Sequence, residues 1–193
     1  MNGRAVVVAA ILAGMAPVSA TAAAGATFAM GDSQKRQALD YGRQSATREN
    51  YDAEWRVTNG GGETVVVLTP FHRLVIASRH ATFRDEPLRP NEPDRLLREQ
   101  KDRLVVALEL RGPQEDFTRL YVPELEIGDR KVKAAFVQND RTAARLDDGA
   151  YLARCTYAFP LRELRGTSRV ALVVRDADGR EARRFTIDLG TMR

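Results

Sequence analysis

The sequence predicts a mainly β protein: an antiparallel sandwich carrying a two-helix insertion over about residues 70–101. Three observations carry this. From residue 103 onward, and again near residues 51–69, short segments alternate apolar and polar residues at period two, as half-buried strands do. Turn chemistry rather than helical sequence separates most of them, which favours antiparallel pairing. Between Thr69 and Lys101 the apolar spacing changes to three and four, the period of a helix with one buried face.

Taken in order, residues 1–26 have the pattern of a cleaved signal peptide. Arg4 is followed by an apolar run from Ala5 to about Ala16, then by small residues offering cleavage after Val18-Ser19-Ala20 or Ala24-Gly25-Ala26. That run is too short to span a bilayer, so the expectation is export to a periplasm or the medium without a transmembrane anchor. Residues 27–50 read as an arm or a short helix, with Asp32 as N-cap and Gly42 as stop. In "YDAEWRVT", Tyr51, Ala53, Trp55 and Val57 alternate with polar residues, predicting a strand over 51–58. "NGGG" at 59–62 turns the chain into a return strand at 63–69.

Thr69 caps and Pro70 opens a helix over about 70–84, whose core stripe runs through Phe71, Leu74, Val75, Ser78 and Thr82. After "EPLRP", Asn91 caps a second helix, with Asp94–Arg98 and Arg95–Glu99 as i,i+4 pairs and Leu96 and Leu97 as its apolar anchors. Strands are expected at 103–111, 116–122, 130–138, 150–159, 168–176 and 182–189, the last two joined by a hairpin turn at Asp178-Gly179.

Cys155, the sole cysteine, falls in the row Tyr151, Ala153, Cys155, Tyr157, Phe159. That row predicts a buried small hydrophobe rather than a nucleophile, because a reactive thiolate needs a cation, a helix N-terminus or a base beside it. The motif Asp147-x-Gly149-x-Tyr151 resembles the start of strand F in immunoglobulin-like domains, where the tyrosine forms a corner with the preceding turn. The resemblance implies an immunoglobulin-like or fibronectin-III-like sandwich and no particular activity. Residue 153, where that pattern would put the disulfide cysteine, is alanine.

The chain carries 26 Arg and 4 Lys against 26 acidic residues, well interleaved, and this excludes a clustered nucleic-acid face. His72 and His80 lie eight residues apart, about 12 Å along a helix or about 26 Å along a strand, too far to share one metal ion. Gly31-Asp32-Ser33 resembles the nucleophile block of GDS-type esterases, but no histidine follows residue 80 to complete a triad with Ser33. "DADG" at 176–179 has isoleucine, Ile187, where a calcium loop needs its bidentate glutamate. No cofactor or metal site is expected, and no catalytic residue is selected.

The preferred function is therefore a non-enzymatic exported module that binds an envelope or extracellular protein. Its proposed contact strip is Ile76 and Phe83, off the core stripe of the first helix, flanked by His72, Arg79 and His80. The competing expectation for that strip is burial under Leu96 and Leu97 of the second helix. The alternative function is a hydrolase or metal-dependent enzyme with scattered residues around His72 or His80. A third reading, a sugar- or lipid-binding module, requires an exposed aromatic platform or an apolar cavity.

Overall fold

In order, the chain forms α1 (Asp32–Gln44), β1 (Arg56–Thr58), β2 (Thr64–Leu68), α2 (Pro70–Phe83), α3 (Glu92–Glu99), β3 (Arg103–Gly112), β4 (Val122–Ile127), β5 (Arg130–Lys133), β6 (Phe136–Gln138), β7 (Ala144–Arg145), β8 (Tyr151–Pro160), β9 (Arg169–Arg175) and β10 (Glu181–Asp188). The computed structural model describes residues 25–193. The leader expected over 1–26 lies outside the described residues except for Gly25 and Ala26. Among the described residues the protein is mainly β, with two antiparallel sheets and three α-helices. One sheet runs β1-β2-β3-β8-β6, with β7 also on β8, and the other β10-β9-β4-β5.

The period-two rows explain the pairing. On β3 and β8, Leu104 faces Phe159, Val106 faces Tyr157, Leu108 faces Cys155 and Leu110 faces Ala153, so both buried rows lie on one side of the ladder. A one-residue slip would turn both rows toward water, and this fixes the register. In the second sheet Leu125, Leu172 and Phe185 lie side by side. All three join the same core cluster as the β3 and β8 rows. The expected hairpin between β9 and β10 forms: Asp176 N donates to Arg180 O at 2.9 Å and Gly179 takes φ +77°.

Two expected strands are turns instead. Over 51–55, Trp55 N donates to Asp52 O at 2.9 Å, and only Arg56–Thr58 pairs with β2. The reason is that Asp52 and Trp55 are both buried while Ala53 is exposed, an arrangement that an alternating strand cannot give. Over 116–121, Arg119 N and Tyr121 N close successive turns on Asp116 O and Thr118 O, and pairing starts at Val122. The buried Thr118 hydroxyl holds that turn by donating to Asp140 O at 2.6 Å.

Residues 27–50 are not a loose arm: α1 packs along α2. Gly31, not Asp32, is the N-cap, and its N–H is taken by Gln34 Oε1 at 3.0 Å. Gly42 is not a stop either. It lies inside α1, where a Cβ would come within 2.6 Å of both Val75 O and Ser78 Cβ, so glycine lets the two helix backbones approach. Ser78 Oγ fastens the crossing by donating to Leu39 O at 2.7 Å. In α3 the Arg95–Glu99 pair forms at 2.7 Å, whereas Asp94 turns to Lys35 of α1, also at 2.7 Å, in place of Arg98. Asn91 makes no side-chain cap.

Gly42→Ala decides whether propensity or packing governs this crossing. Removing a mid-helix glycine should gain about 1 kcal/mol, while overpacking a close contact costs about 1–3 kcal/mol. A net loss of stability is expected by thermal or urea denaturation. Gly31→Ala, which meets no atom within 4 Å, should cost about 0.5–1 kcal/mol, the difference between a glycine and an alanine N-cap.

Candidate functional site

The helical insertion and α1 form a cap, and its attachment begins at the start of α2. Thr69 accepts from His72 N at 3.1 Å and Pro70 occupies the first turn, as the sequence predicts. This sets His72 inward. Its ring is fully buried and stacks on Trp55 with centroids 4.2 Å apart and planes 4° from parallel. Nδ1 lies 3.0 Å from Val67 O, so it carries the proton and donates, while Nε2 has no partner. Burial lowers the His72 pKa to about 4, against small opposing contributions from the Val67 hydrogen bond and the Asp52 and Glu54 charges. The imidazole is neutral across the physiological range.

The structure divides the five strip residues. His72 cannot contact a partner, since the helical turn that places Phe71 in the core also carries His72 under Trp55. Arg79 is committed internally: its guanidinium donates to Ser45 O at 3.1 Å and Arg48 O at 2.8 Å and lies 4.1 Å over the Tyr51 ring. It satisfies carbonyls just beyond α1. Ile76, His80 and Phe83 remain together at i, i+4 and i+7. Ile76 is half-buried, His80 exposed and Phe83 81% exposed.

The second helix does not cover this strip. Leu96 and Leu97 pack against the core instead, drawn toward α1 by the Lys35–Asp94 pair. A groove of about 780 Å³ is left between the end of α2 and α3, lined by His80, Arg84, Leu88, Arg89 and Arg95 among others. The charge here is mixed, because Arg95 is held by Glu92 and Glu99.

The other candidates stay apart. Cys155 is buried in the β8 row. Ser33 is exposed on the first turn of α1, while both histidines are on α2. Neither histidine ring is hydrogen-bonded to a carboxylate or hydroxyl among the described residues, which is what a catalytic reading of His72 or His80 requires. No group of three or more His, Cys, Asp or Glu side chains is placed to hold a metal ion among the described residues. In the same span no helix is long and apolar enough to cross a membrane.

Sequence reasoning missed the Trp55–His72 stack. The signal that could have found it is a tryptophan ahead of a helix whose third residue is histidine, but periodicity assigned Trp55 to a strand.

Comparison with known proteins assigns no function. No family model and no curated protein matches the chain. Among solved structures, the crystal structure of a novel protein of unknown function from Burkholderia pseudomallei K96243 is similar, with 11% identity and a TM-score of 0.45 over 86% of this chain and 95% of that one.

The His72 pocket has a pH signature. Its folded pKa of about 4 lies below the unfolded value of 6.5, so the unfolded chain binds the proton more readily. Stability should be complete above about pH 6.5 and fall by about 3 kcal/mol as pH drops toward 4. Urea unfolding across that range should show the fall, and His72→Phe, which keeps a ring against Trp55, should flatten it relative to the parent.

Proposed function

We propose that the protein is an exported, non-catalytic interaction module that binds an envelope or extracellular protein through its helical cap. The observation that carries this reading is Phe83, a large apolar side chain left 81% exposed at the end of a helix that buries its opposite face. Ile76 and His80 extend it into a strip, with Arg84 following. An apolar centre within a polar rim is the composition of a protein contact, and an aromatic residue is a common anchor. Placing such a face on inserted helices leaves the sheets free to act as scaffold.

The architecture proposed for that scaffold is a two-sheet sandwich, supported by inner rows from both sheets meeting in one core. Gly149, at φ +85°, makes the turn before Tyr151 that the immunoglobulin-like motif implies. Beyond that turn the connectivity differs: an immunoglobulin strand F returns by a hairpin within its own sheet, whereas β8 is followed by β9 in the other sheet.

Phe83→Ser tests the reading. An exposed position should change stability by no more than about 0.5 kcal/mol. Crosslinking capture from intact envelopes should enrich a protein with the parent chain and lose it with Phe83→Ser. Equal capture by both would remove Phe83 from the interaction.

Export makes a second prediction. Ala26 is buried and its N–H is shared between Gly166 O and Leu189 O, each at 2.9 Å. A leader cleaved after Ala26 would remove this anchor, so cleavage after Ala20 is the processing compatible with the fold. Mass spectrometry of the native protein should find Thr21 first; an intact Met1 would overturn export, and a start at Thr27 would overturn the role of the anchor.

A further inference from the structure

A second concavity lies on the other side of α3, with a chemistry different from that of the Phe83 strip. Segment 25–31 is pinned at Ala26 and runs along this side before entering α1. The pin is tight: a Cβ on Gly166 would lie 2.0 Å from Ala26 O. Between this segment, α3 and the end of β8 is a groove of about 890 Å³, within the size range of small-molecule sites. Its apolar surface comes from Phe28, Met30, Leu97, Leu161 and Leu164, all of which rest on or belong to the main core.

The polar lining is unbalanced. Four cations, Lys35, Arg98, Lys101 and Arg162, stand against two carboxylates, Asp94 and Asp102. Lys35 and Asp94 neutralise each other at 2.7 Å, and Arg162 lies 3.6 Å from Glu163. Arg98 and Lys101 make no ion pair among the described residues, and both are exposed. On the inner wall Gln100 is only 7% exposed; its Nε2 donates to Leu68 O, but its Oε1 accepts from nothing. That oxygen is enclosed by the protein and presents no acceptor to the groove.

We infer that this groove binds a single-chain amphiphile with an anionic head, with the acyl chain on the Phe28–Met30–Leu97–Leu161 surface and the anion at Arg98 and Lys101. The apolar surface supplies the burial that a chain seeks. Of the lining charges without an ion pair, Arg98 and Lys101 stand against Asp102, and the net positive charge favours an anionic head over a neutral one. This inference does not rest on the Phe83 reading, because the two sites share no side chain.

The test uses 1-palmitoyl lysophosphatidylglycerol below its micelle concentration, titrated into detergent-free protein by calorimetry. Saturable one-to-one binding is expected, at least tenfold weaker for lysophosphatidylcholine of the same chain length and absent for glycerophosphoglycerol without a chain. Arg98→Ser with Lys101→Ser, both at exposed positions, should weaken binding at least tenfold with unchanged unfolding. Met30→Glu should weaken it as strongly, provided that circular dichroism shows an intact fold, and Phe83→Ser should leave it unchanged. No binding, equal affinity for both lysolipids, or affinity insensitive to the Arg98 and Lys101 changes would each overturn the inference. Binding of the chainless head alone would reduce the groove to an anion site and overturn it as well.

Discussion

The burial of Trp55 is the constraint on which the rest of the cap depends. Its indole is fully enclosed, stacked on His72 and Phe71 of α2 and edge-on to Tyr41 of α1. Its Nε1 donates to Arg193 O at 2.9 Å, an acceptor that Thr69 Oγ1 shares. Arg193 then closes the cluster from outside, with its guanidinium forked onto Glu54 at 2.7–3.0 Å and within 5.0 Å of the Tyr41 and Phe71 rings. Removing an indole of about 150–250 Å² from water contributes about 4–6 kcal/mol, comparable to the whole margin of a small fold. One side chain therefore joins both long helices, β1 and the last residue to a single centre.

Electrostatics close the sheets where packing alone would leave their edges loose. Glu63, 5% exposed, accepts from Arg183 Nε at 2.6 Å, Arg111 N at 2.9 Å and Asn59 Nδ2 at 2.8 Å, while Arg183 also reaches Arg111 O. Burying this carboxylate is costly, and it is tolerable because each of its oxygens has a donor. Arg183 belongs to β10 and its partners flank β2 and β3, so the bridge spans both sheets and fixes how they meet along that edge. The bulge between Glu181 and Arg183 helps to aim the guanidinium there.

Much of this was legible in the sequence because the physics was local. The β3 row obeys period two from Leu104 to Leu110 and the β8 row from Ala153 to Tyr157, before Ala158 is buried as well, and rows of that length fix which face packs inward. Thr69-Pro70 announced the start of α2 for the same reason, since a cap needs only its own next three residues. What the sequence concealed was tertiary. Tyr51–Trp55 has a strand's alternation, yet the pull of Trp55 into an aromatic centre made from α1 and α2 turns the segment out of the ladder. Gly42 looks like a helix stop unless the helix that crosses it is known. Arg79 looks like surface charge until the carbonyls of Ser45 and Arg48 come under it. The second groove was invisible for a simpler reason: its walls come from residues 28–30, 97–101 and 160–164, and no linear pattern relates them.

These constraints divide the molecule by chemistry. The sheets have their inner rows buried and their outer faces laced by pairs such as Arg184–Glu126 and Arg175–Glu124. The cap is held at its base by Trp55 and the Gly42 crossing, and α3 by Leu96 and Leu97 against the core, by Gln100 Nε2 donating to Leu68 O and by the Lys35–Asp94 pair. Phe83 without a cover, and Arg98 and Lys101 without an ion pair among the described residues, lie on the cap, while Val122, Phe136 and Val137 are exposed on the sheets. The cap thus sets a large exposed aromatic side chain and unpaired cations on a base that the aromatic centre keeps fixed.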